Sequence, residues 1–519
     1  MTEKIRIAVV GAGISGLAAV KECVAAGFEV EAFDSRDEIG GAWAYQHCTP
    51  DATPSEVWSS MYQGTMLNSC RDTSSFSDFP LDPARYSDYF KHPLMLQYLN
   101  EYADHFDLRK HVRLRTKVLE CTARGDGSWT VRIQEDGGRV QDKVFNAVFA
   151  CTGHLSTPMV PEFKGRETFK GQFFHSHCYR TPGPFEGKRV AIIGFGSSAV
   201  DIACEIAPQA KELHMVTRRG GWVLPRYVLG KPTEAWDNRA TQLWVPSSLS
   251  QWLQTKLLQL VDIPPPKELV PEHKLLEQNP TVRGDFTEKV ATGLIAVQRA
   301  SVDSFTETGL ALSTGASLDV DIVICATGYN LFDIPYLPSD LVRNESTPQN
   351  AVDLYKLLMS PRYTNVFLLG FAEVIGPLPP TVEAQARHAV GILGGRIKRP
   401  SQDQMIRHIK KFHEFQAKHF VDSPRHSIAT HAIAYNDDLL EPLGAVPTFG
   451  RLLTKVFTSN PIKAMKVLNA VWFGIPSSAQ WRLCGEGKKE PLARATVLRI
   501  AAEERELSRS EREFLVTTT

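Results

Sequence analysis

Two glycine-rich turns carry the clearest chemical signal in the sequence. The first follows the apolar run from Ile5 to Val10 and reads Gly11, Ala12, Gly13, Ile14, Ser15 and Gly16. In such a turn the first glycine permits a tight bend, the second lets the backbone approach a pyrophosphate, and the third allows close helix–strand packing. The anion lies on the positive N-terminus of the following helix. The first turn therefore predicts a dinucleotide-binding site.

Asp34 indicates which dinucleotide the first turn binds. It stands at the end of the next predicted strand, Glu29 to Phe33, at the spacing from Gly16 that such sites use. A carboxylate there can bind both ribose hydroxyls and would repel a 2′-phosphate. The first turn therefore favours FAD or NAD over NADP, and an ordinary tight turn is the alternative.

The second turn differs from the first in the residues at the end of the following strand, which select the cofactor. It follows the predicted strand Val190 to Ile193 and contains Gly194, Gly196, Ser197, Ser198 and Ala199, the alanine standing where the pattern tolerates it. The next predicted strand, Glu212 to Thr217, ends in Arg218 and Arg219 with no carboxylate. A guanidinium at this position pairs with a 2′-phosphate. Arg218 therefore predicts NADPH, the alternative being an ordinary surface arginine.

The composition excludes several other classes of protein. The 519 residues include 58 Lys and Arg against 58 Asp and Glu, so the chain is neither a basic nucleic-acid binder nor an acidic solvating protein. At 43% hydrophobic and 22% charged residues it can bury a sizeable core. Nine scattered cysteines without a Cys-x-x-Cys pair indicate a reducing compartment and argue against a disulfide reductase. A chain that binds both FAD and NADPH is a flavin-linked oxidoreductase, and this is the class that the two turns predict.

The doubled strand–turn–helix–strand pattern predicts an α/β fold with two Rossmann-like dinucleotide-binding domains, the NADPH domain being inserted into the FAD domain. The predicted FAD domain has two parts, 1–180 and 326–500, and the second part includes a C-terminal helical region. The predicted NADPH domain is 181–325 and contains a helical and loop insertion over 222–292, which includes the prolines at 264–266. Residues 501–519 are predicted to form a charged tail, with the charges concentrated over 503–512.

No apolar run approaches the length of a membrane span, and the first residues lack the apolar stretch of a secretory signal. The sequence therefore predicts a cytoplasmic protein without a membrane span. Its expected partners are a small-molecule substrate and molecular oxygen, with no nucleic acid and no bound metal. A homo-oligomer is left open.

Further motifs resemble a known family. Residues Phe169 to Tyr179 fit F-x-G-x-x-x-H-x-x-x-Y, the identifying motif of the flavin-containing monooxygenases. The stretch from Gly40 to Trp43 is similar to the family's second flavin-binding stretch, and Asn68 to Pro80 to its segment with an active-site asparagine. Other similar segments are the two interdomain links at Cys151–Gly153 and Ala326–Tyr329, and the C-terminal region Tyr435–Gly485. The resemblance extends over roughly residues 5 to 500.

The resemblance implies the chemistry. A flavin reduced by NADPH would add oxygen to form a C4a-hydroperoxyflavin, which inserts one oxygen atom into a soft nucleophile, the amine nitrogen or thioether sulfur of a small molecule. No Ser, Cys or His nucleophile is expected. Asn68 would orient the peroxide or the retained NADP⁺, since an amide donates a hydrogen bond without delivering a proton; its alternative role is to cap a turn. The implied FAD-binding residues include Gly41, Ala42, Trp43, Asn68 and Ser69.

Four further residues have open interpretations. His175 and Tyr179 resemble the hinge between the two domains; the alternatives are a metal site that includes His177 and Cys178, or simple packing. Thr381 is a candidate N-cap for a helix directed at the flavin. Gln385 on that helix would contact the flavin ring, the alternative being an ordinary surface glutamine.

Two departures from the family leave alternatives open. Animal members end in a hydrophobic membrane tail, whereas this chain ends in residues 514–519, Phe-Leu-Val-Thr-Thr-Thr. Baeyer–Villiger relatives usually carry Trp where Tyr179 stands, which favours heteroatom oxygenation. The alternatives are Baeyer–Villiger oxygenation of a ketone on the same scaffold and a catalytically inactive flavin-binding scaffold.

Overall fold

The computed structural model describes residues 4–49, 52–53, 55–261 and 265–518, with side chains at all of these except 261, 424–425 and 505–518. One of the three prolines at 264–266, Pro264, lies outside the described residues, as does Thr519.

The described chain contains both strands and helices, in the order in which they are numbered here. The strands are β1 (Arg6–Val10), β2 (Glu29–Phe33), β3 (Val112–Arg113), β4 (Thr116–Ala123), β5 (Trp129–Glu135), β6 (Val140–Phe145), β7 (Ala147–Ala150), β8 (Gln172–His175), β9 (Arg189–Ile193), β10 (Glu212–Thr217), β11 (Val223–Leu224), β12 (Tyr227–Val228), β13 (Lys231–Pro232), β14 (Thr281–Val282), β15 (Ala296–Arg299), β16 (Val302–Phe305), β17 (Gly309–Leu312), β18 (Ser317–Asp319), β19 (Ile322–Cys325), β20 (Val366–Leu368), β21 (Glu373–Ile375) and β22 (Ala429–His431). The helices are α1 (Ile14–Ala25), α2 (His92–His105), α3 (Ser197–Ile206), α4 (Arg239–Leu243), α5 (Ser247–Val261), α6 (Phe286–Ala291), α7 (Leu378–Leu393), α8 (Gln402–His419), α9 (Ala432–Leu440), α10 (Phe449–Thr458), α11 (Pro461–Phe473) and α12 (Glu490–Thr518).

The first glycine-rich turn lies at the carboxyl end of a parallel sheet in the order β20-β7-β1-β2-β3. The central strand β1 is an unbroken apolar run because both of its faces are covered; Ile7, Ala8 and Val9 have no exposed surface. Helix α1 packs against α7 and is almost entirely buried. The turn is therefore fixed to the rigid centre of the domain.

The second turn lies in its own parallel sheet, in the order β15-β10-β9-β19-β8. All of its strands fall between β7 and β20 of the first sheet. This confirms the predicted α/β fold, with one dinucleotide-binding domain inserted into the other. The sheet takes its first strand, β8, from before the predicted boundary at 180. Helix α3 begins at Ser197, within the second glycine-rich turn.

Smaller elements surround the two sheets. The antiparallel sheets β4-β5-β6 and β16-β17-β18 attach to the first and second domains, and the insertion over 222–292 contains α4, α5, α6 and the short strands β11 to β14. Trp244 of the insertion stacks on Trp472 of α11, with ring centroids 4.5 Å apart. The insertion therefore packs against the C-terminal helices.

The segment predicted as a charged tail continues helix α12 without a break at 501. Glu503 pairs with Arg71 at 2.9 Å, and Glu504 pairs with Lys231 at 3.1 Å. The beginning of this segment is therefore packed against the domains instead of being solvated, because distant cations meet its first acids. The remaining side chains of 503–512, from 505 onward, lie outside the described residues. Within the described part of the chain, no helix combines the length and the apolar character that crossing a membrane requires.

Candidate active site

The first turn closes tightly between β1 and α1. The N–H of Gly11 donates to the carbonyl oxygen of Phe33 at 2.8 Å, so the turn begins with the chain fixed to β2. A Cβ on Gly16 would lie 1.9 Å from the carbonyl oxygen of Gly11, which leaves room only for glycine. Gly13 precedes α1, and no side chain caps that helix. An uncapped helix N-terminus behind a glycine turn fits a pyrophosphate.

The second flavin-binding stretch lies directly against this turn. Gly40 donates from its N–H to the carbonyl oxygen of Ala12 at 3.0 Å, and Gly41, Ala42 and Trp43 form a single 3-10 turn. Ala42 is exposed and Trp43 is half-buried. Two separated parts of the sequence thus form one continuous backbone surface, which is what an extended dinucleotide requires.

The carboxylate of Asp34 is buried beside the first turn. Its Oδ2 accepts from the N–H of Ala12 at 2.7 Å and its Oδ1 from the N–H of Arg36 at 3.0 Å. Each carboxylate oxygen can accept more than one hydrogen bond, so both retain capacity for ribose hydroxyls. The position fits the predicted role.

The second turn repeats the arrangement with a different strand end. A Cβ on Gly194 would lie 2.3 Å from the carbonyl oxygen of Ala326, and the φ of +124° there favours glycine. Helix α3 has Gly196 at its N-cap without a capping side chain, and Ala199 is fully buried. Arg218 follows β10 and is exposed, and it makes no hydrogen bond or ion pair with any residue that the structure describes. Its guanidinium is free to bind a phosphate.

Asn68 lies in an exposed turn, and its neighbours Met66 and Cys70 pack with residues of the insertion and of the C-terminal region. Leu67 donates from its N–H to the carbonyl oxygen of Phe90 at 3.0 Å, and the carbonyl oxygen of Ser69 accepts from the Ser74 hydroxyl at 3.2 Å. Within the described residues the Asn68 amide makes no hydrogen bond, so the predicted alternative of turn capping is not seen. The amide can therefore donate to a ligand.

A buried ion network holds the far end of the Asn68 segment. Asp78 lies 2.5 Å from Lys21 of α1, and Arg482 lies 2.7 Å from Glu22 of the same helix. Arg482 also pairs with Glu383 of α7. Burial alone would raise the pKa of Asp78, but Lys21 and Arg482 lower it. Each acid of the network thus lies in an ion pair with a buried cation.

The acids of this network, Glu22, Asp78 and Glu383, are also the ones whose spacing among the described residues would suit a metal ion. Lys21 and Arg482 already neutralise them, so the donor set does not indicate a metal. The predicted alternative of a metal site at His175, His177 and Cys178 has no matching cluster in the described chain.

The histidine–tyrosine motif contacts both domains. His177 places Nδ1 3.2 Å from the Tyr329 hydroxyl and Nε2 2.8 Å from the carbonyl oxygen of Val57. Tyr179 donates to Oε2 of Glu205 on α3 at 2.8 Å. Burial, reinforced by the neighbouring His177, lowers the pKa of His175 to about 4. His175 is therefore neutral at physiological pH and is no general acid.

Helix α7 differs from the prediction at its start. The helix begins at Leu378 with Pro377 as its N-cap, and Thr381 lies inside the first turn, where its hydroxyl donates to the carbonyl oxygen of Pro377 at 3.2 Å. The N-cap prediction for Thr381 was wrong because the helix starts earlier and includes the two prolines at 379 and 380. Proline is tolerated in a first helical turn, since the backbone N–H groups there make no hydrogen bond within the helix.

Gln385 of α7 has no exposed surface, so the alternative of an ordinary surface glutamine is wrong. Its Oε1 accepts from the N–H of Gly370 at 2.8 Å, and its Nε2 donates to the Tyr435 hydroxyl at 2.8 Å. Contact with a flavin ring stays a prediction.

A family model described as flavin-binding monooxygenase-like matches residues 4–510. The chain belongs to this family. Among curated members, flavin-containing monooxygenase 5 of Mus musculus is 35% identical over 513 residues, covering 95% of this chain and 91% of the relative. Dimethylaniline monooxygenase (N-oxide-forming) 2 of Cavia porcellus is 33% identical over 506 residues, covering 94% and 90%.

Solved structures share the fold of this flavin-binding monooxygenase. The S-allyl-L-cysteine S-oxygenase of Allium sativum has a TM-score of 0.65 at 22% identity, covering 91% of this chain and 96% of its own. Cyclohexanone monooxygenase from Rhodococcus sp. Phi1, solved with NADP⁺, has a TM-score of 0.61 at 18% identity, covering 85% and 98%. Family membership confirms the predicted enzyme class, a flavin monooxygenase. The predicted FAD and NADPH agree with the family's flavin binding and with the NADP⁺ of the second structure.

The sequence did not reveal the ion network around Asp78. The one local signal is the adjacent pair Lys21 and Glu22 within the apolar helix α1. Two charges on a buried helix require partners, but the sequence does not say that Asp78, Glu383 and Arg482 supply them.

Proposed function

We propose that this monooxygenase binds FAD at the first turn and NADPH at the second, and transfers one atom of molecular oxygen to an amine nitrogen or thioether sulfur of a small molecule. The observation that carries the proposal is the contrast between the two turns. Asp34 is buried and acidic beside the first, whereas Arg218 is exposed and basic beside the second. One chain thus offers one site for an unphosphorylated ribose and another for a 2′-phosphate.

The residues that would hold FAD are the first turn, Asp34 and the 3-10 turn of Gly41, Ala42 and Trp43, with Asn68, Ser69 and Gln385 toward its reactive end. Gly194, Gly196, Ser197, Ser198, Ala199 and Arg218 would hold NADPH. When bound, the flavin accepts a hydride from NADPH and passes electrons to oxygen, which is the chemistry of the cofactor itself.

The protein's part is to position the reactants and to withhold protons. The Asn68 amide can donate a hydrogen bond, yet it has no acidic proton to give up. His175 is neutral because of its burial, so the link between the domains supplies no imidazolium. We infer that His175 and Tyr179 join the domains by packing and hydrogen bonds and take no part in proton transfer.

The substrate class follows from the nature of the oxygen transfer. Soft nucleophiles need little activation, and the dimethylaniline N-oxide-forming relative and the garlic S-oxygenase carry such substrates in their names. Baeyer–Villiger oxygenation of a ketone is the second candidate, favoured by the shared fold with cyclohexanone monooxygenase. Tyr179, where Baeyer–Villiger relatives usually have Trp, favours the first candidate. The cytoplasmic location, the oligomeric state and the domain boundaries stay predictions.

Product analysis separates these functions. Purified flavoprotein is supplied with NADPH and air, together with N,N-dimethylaniline, methyl phenyl sulfide or cyclohexanone in parallel reactions. We expect an N-oxide and a sulfoxide at rates matching NADPH consumption. A lactone from cyclohexanone without heteroatom products would establish the second candidate. A yellow protein that consumes no NADPH with any of the three would indicate an inactive scaffold.

A further inference from the structure

Side chains of the insertion hold the Asn68 turn from both sides. Arg226 donates from Nε to the carbonyl oxygen of Leu67, at 3.4 Å, and Glu234 accepts from the N–H of Cys70, at 2.7 Å. These two backbone groups lie immediately before and shortly after Asn68. Arg226 and Glu234 stand on either side of the β12–β13 hairpin, so a single element of the insertion contacts both ends of the turn.

The Tyr89 hydroxyl contacts both Arg226 and Glu234, and its two contacts indicate the protonation state of Glu234. Its oxygen lies 2.7 Å from the carbonyl oxygen of Arg226 and 2.7 Å from Oε2 of Glu234. A tyrosine hydroxyl carries one proton, which can satisfy only one of two acceptors. A neutral Glu234 resolves the conflict, because its carboxyl proton goes to the Tyr89 oxygen while Tyr89 donates to the Arg226 carbonyl.

The charges around Glu234 agree with this assignment. No Lys or Arg among the described residues forms an ion pair with it. Burial and the nearby Asp237 raise its pKa, and the hydrogen bond from the Cys70 N–H only partly offsets the rise. Cys70 of the Asn68 segment and Tyr89 further along the chain are the titratable groups that face it, and burial raises the pKa of both, so both are neutral. The Arg226 guanidinium lies over the Tyr89 ring, 5.7 Å from its centroid.

We propose that Glu234, as a neutral carboxylic acid, is a positioning residue that fixes the Asn68 turn through the backbone of Cys70. The inference rests on the proposed role of Asn68 and extends it. Because Glu234 belongs to the insertion in the NADPH domain, the domain that would bind the nicotinamide dinucleotide also sets the position of the amide that faces the oxygen chemistry. Oxygen transfer and nicotinamide binding are thereby linked by one hairpin.

Two substitutions at Glu234 test the proposal by the ratio of oxygenated product to NADPH consumed. Glu234→Gln reproduces the neutral acid, since the amide oxygen accepts from Cys70 and the amide N–H donates to Tyr89. We expect its coupling to match the wild type. Glu234→Ala loses both contacts, and we expect coupling to fall about fivefold, the effect of one hydrogen bond, with flavin content and the rate of flavin reduction unchanged. Glu272→Gln, at an exposed acid of the same insertion, is the matched control.

Each result decides the matter. Wild-type coupling in Glu234→Ala overturns the proposal, and so does a Glu234→Gln variant that uncouples like the alanine, because the site would then need a charged carboxylate. Should Glu234→Ala lose its flavin, Tyr89→Phe takes its place. That variant removes the acceptor of the Glu234 proton, so uncoupling is expected there and wild-type coupling overturns the proposal.

Comparison with Asn68→Ala keeps the two proposals distinguishable. If Asn68→Ala uncouples and Glu234→Ala does not, only the positioning role fails. If Asn68→Ala couples normally, the role proposed for Asn68 fails, whatever Glu234 does. The double variant should couple no worse than Asn68→Ala alone, because Glu234 acts through that turn. A further loss in the double variant would show that Glu234 acts by another route.

Discussion

The buried carboxylate of Asp34 accepts a hydrogen bond from the N–H of Ala12, 2.7 Å away, inside the first glycine-rich turn. The residue proposed to bind the ribose therefore also fixes the backbone that would receive the pyrophosphate. Its other oxygen fixes the N–H of Arg36. If the proposed role holds, recognition of the cofactor and the shape of its site depend on this one side chain.

We expect Asp34→Ala to be purified with little FAD, since the ribose loses its acceptor and the N–H groups of Ala12 and Arg36 lose theirs. Flavin absorbance per mole of protein measures the effect. Asp37→Ala is the matched control, because Asp37 lies on the same loop with an exposed side chain. A full complement of flavin in Asp34→Ala would show that another residue recognises the ribose.

Local patterns explain which parts of the site the sequence could predict. Each glycine-rich turn lies within about 30 residues of its own strand end. Over such a short stretch, the order of apolar runs and glycines determines the structure. Lys21 and Glu22 show the limit. Nothing near them in sequence indicates their burial, because the groups that neutralise them come from residues 78 and 482. Such pairings arise only when distant segments pack together.

The same distinction applies to the fold. The strands β1, β2, β9 and β10 were predicted because each adjoins its own turn and helix. The outer strands β8 and β20 join their sheets by parallel pairing with segments far away in the chain, and no local period indicates such a partner. The hydrogen bonds of Arg226 and Glu234 to the Asn68 turn were not predicted for the same reason, because these residues are far from Asn68 in the sequence.

Arg218→Ala should weaken NADPH binding and leave NADH binding almost unchanged. Loss of a charge-assisted hydrogen bond costs about 1.5–3 kcal/mol, or roughly a ten- to hundredfold rise in Kd. The rate of flavin reduction measured against the concentration of each nucleotide gives both constants. NADH provides the internal control, because it lacks the 2′-phosphate. An unaltered preference for NADPH would assign the phosphate to another cation.

Arg482→Met should be strongly destabilising. The guanidinium is almost completely buried and pairs with Glu22 and Glu383, so its removal leaves buried carboxylates without a partner, at a cost of about 3–5 kcal/mol in the free energy of unfolding. Denaturant unfolding followed by fluorescence measures it. Arg494→Met is the control, since the Arg494–Glu490 pair on α12 is partly exposed to solvent and should contribute less than about 1 kcal/mol. An equal loss of unfolding free energy in both variants would show that the buried ion pairs of Arg482 stabilise the fold no more than an exposed pair does.

The ion network also predicts how stability depends on pH. Lys21 and Arg482 lower the pKa of Asp78 despite its burial, so the folded state binds protons less readily than the unfolded state. The resulting stabilisation is fully present above the ordinary carboxylate pKa of about 4 and is lost as the pH falls below it. We expect Asp78→Asn, though less stable at neutral pH, to lose less stability on acidification than the wild type. If the free energy of unfolding falls equally with pH in the two proteins, Asp78 is not the cause of the loss of stability in acid.

Asn68→Ala tests the role proposed for the Asn68 amide in oxygen transfer. Hydride transfer from NADPH needs no donor at this position, so flavin content and the rate of flavin reduction should stay normal. Oxygen transfer does need an aligned hydrogen bond, because water can otherwise protonate and release the bound oxygen as hydrogen peroxide. NADPH consumption should therefore continue while hydrogen peroxide replaces the oxygenated product, which peroxide assays and product analysis measure together. Gln63→Ala, at an exposed amide of the same segment, should behave as the wild type. Normal coupling in Asn68→Ala would make Asn68 a loop residue, whereas slow reduction would place its amide at the nicotinamide.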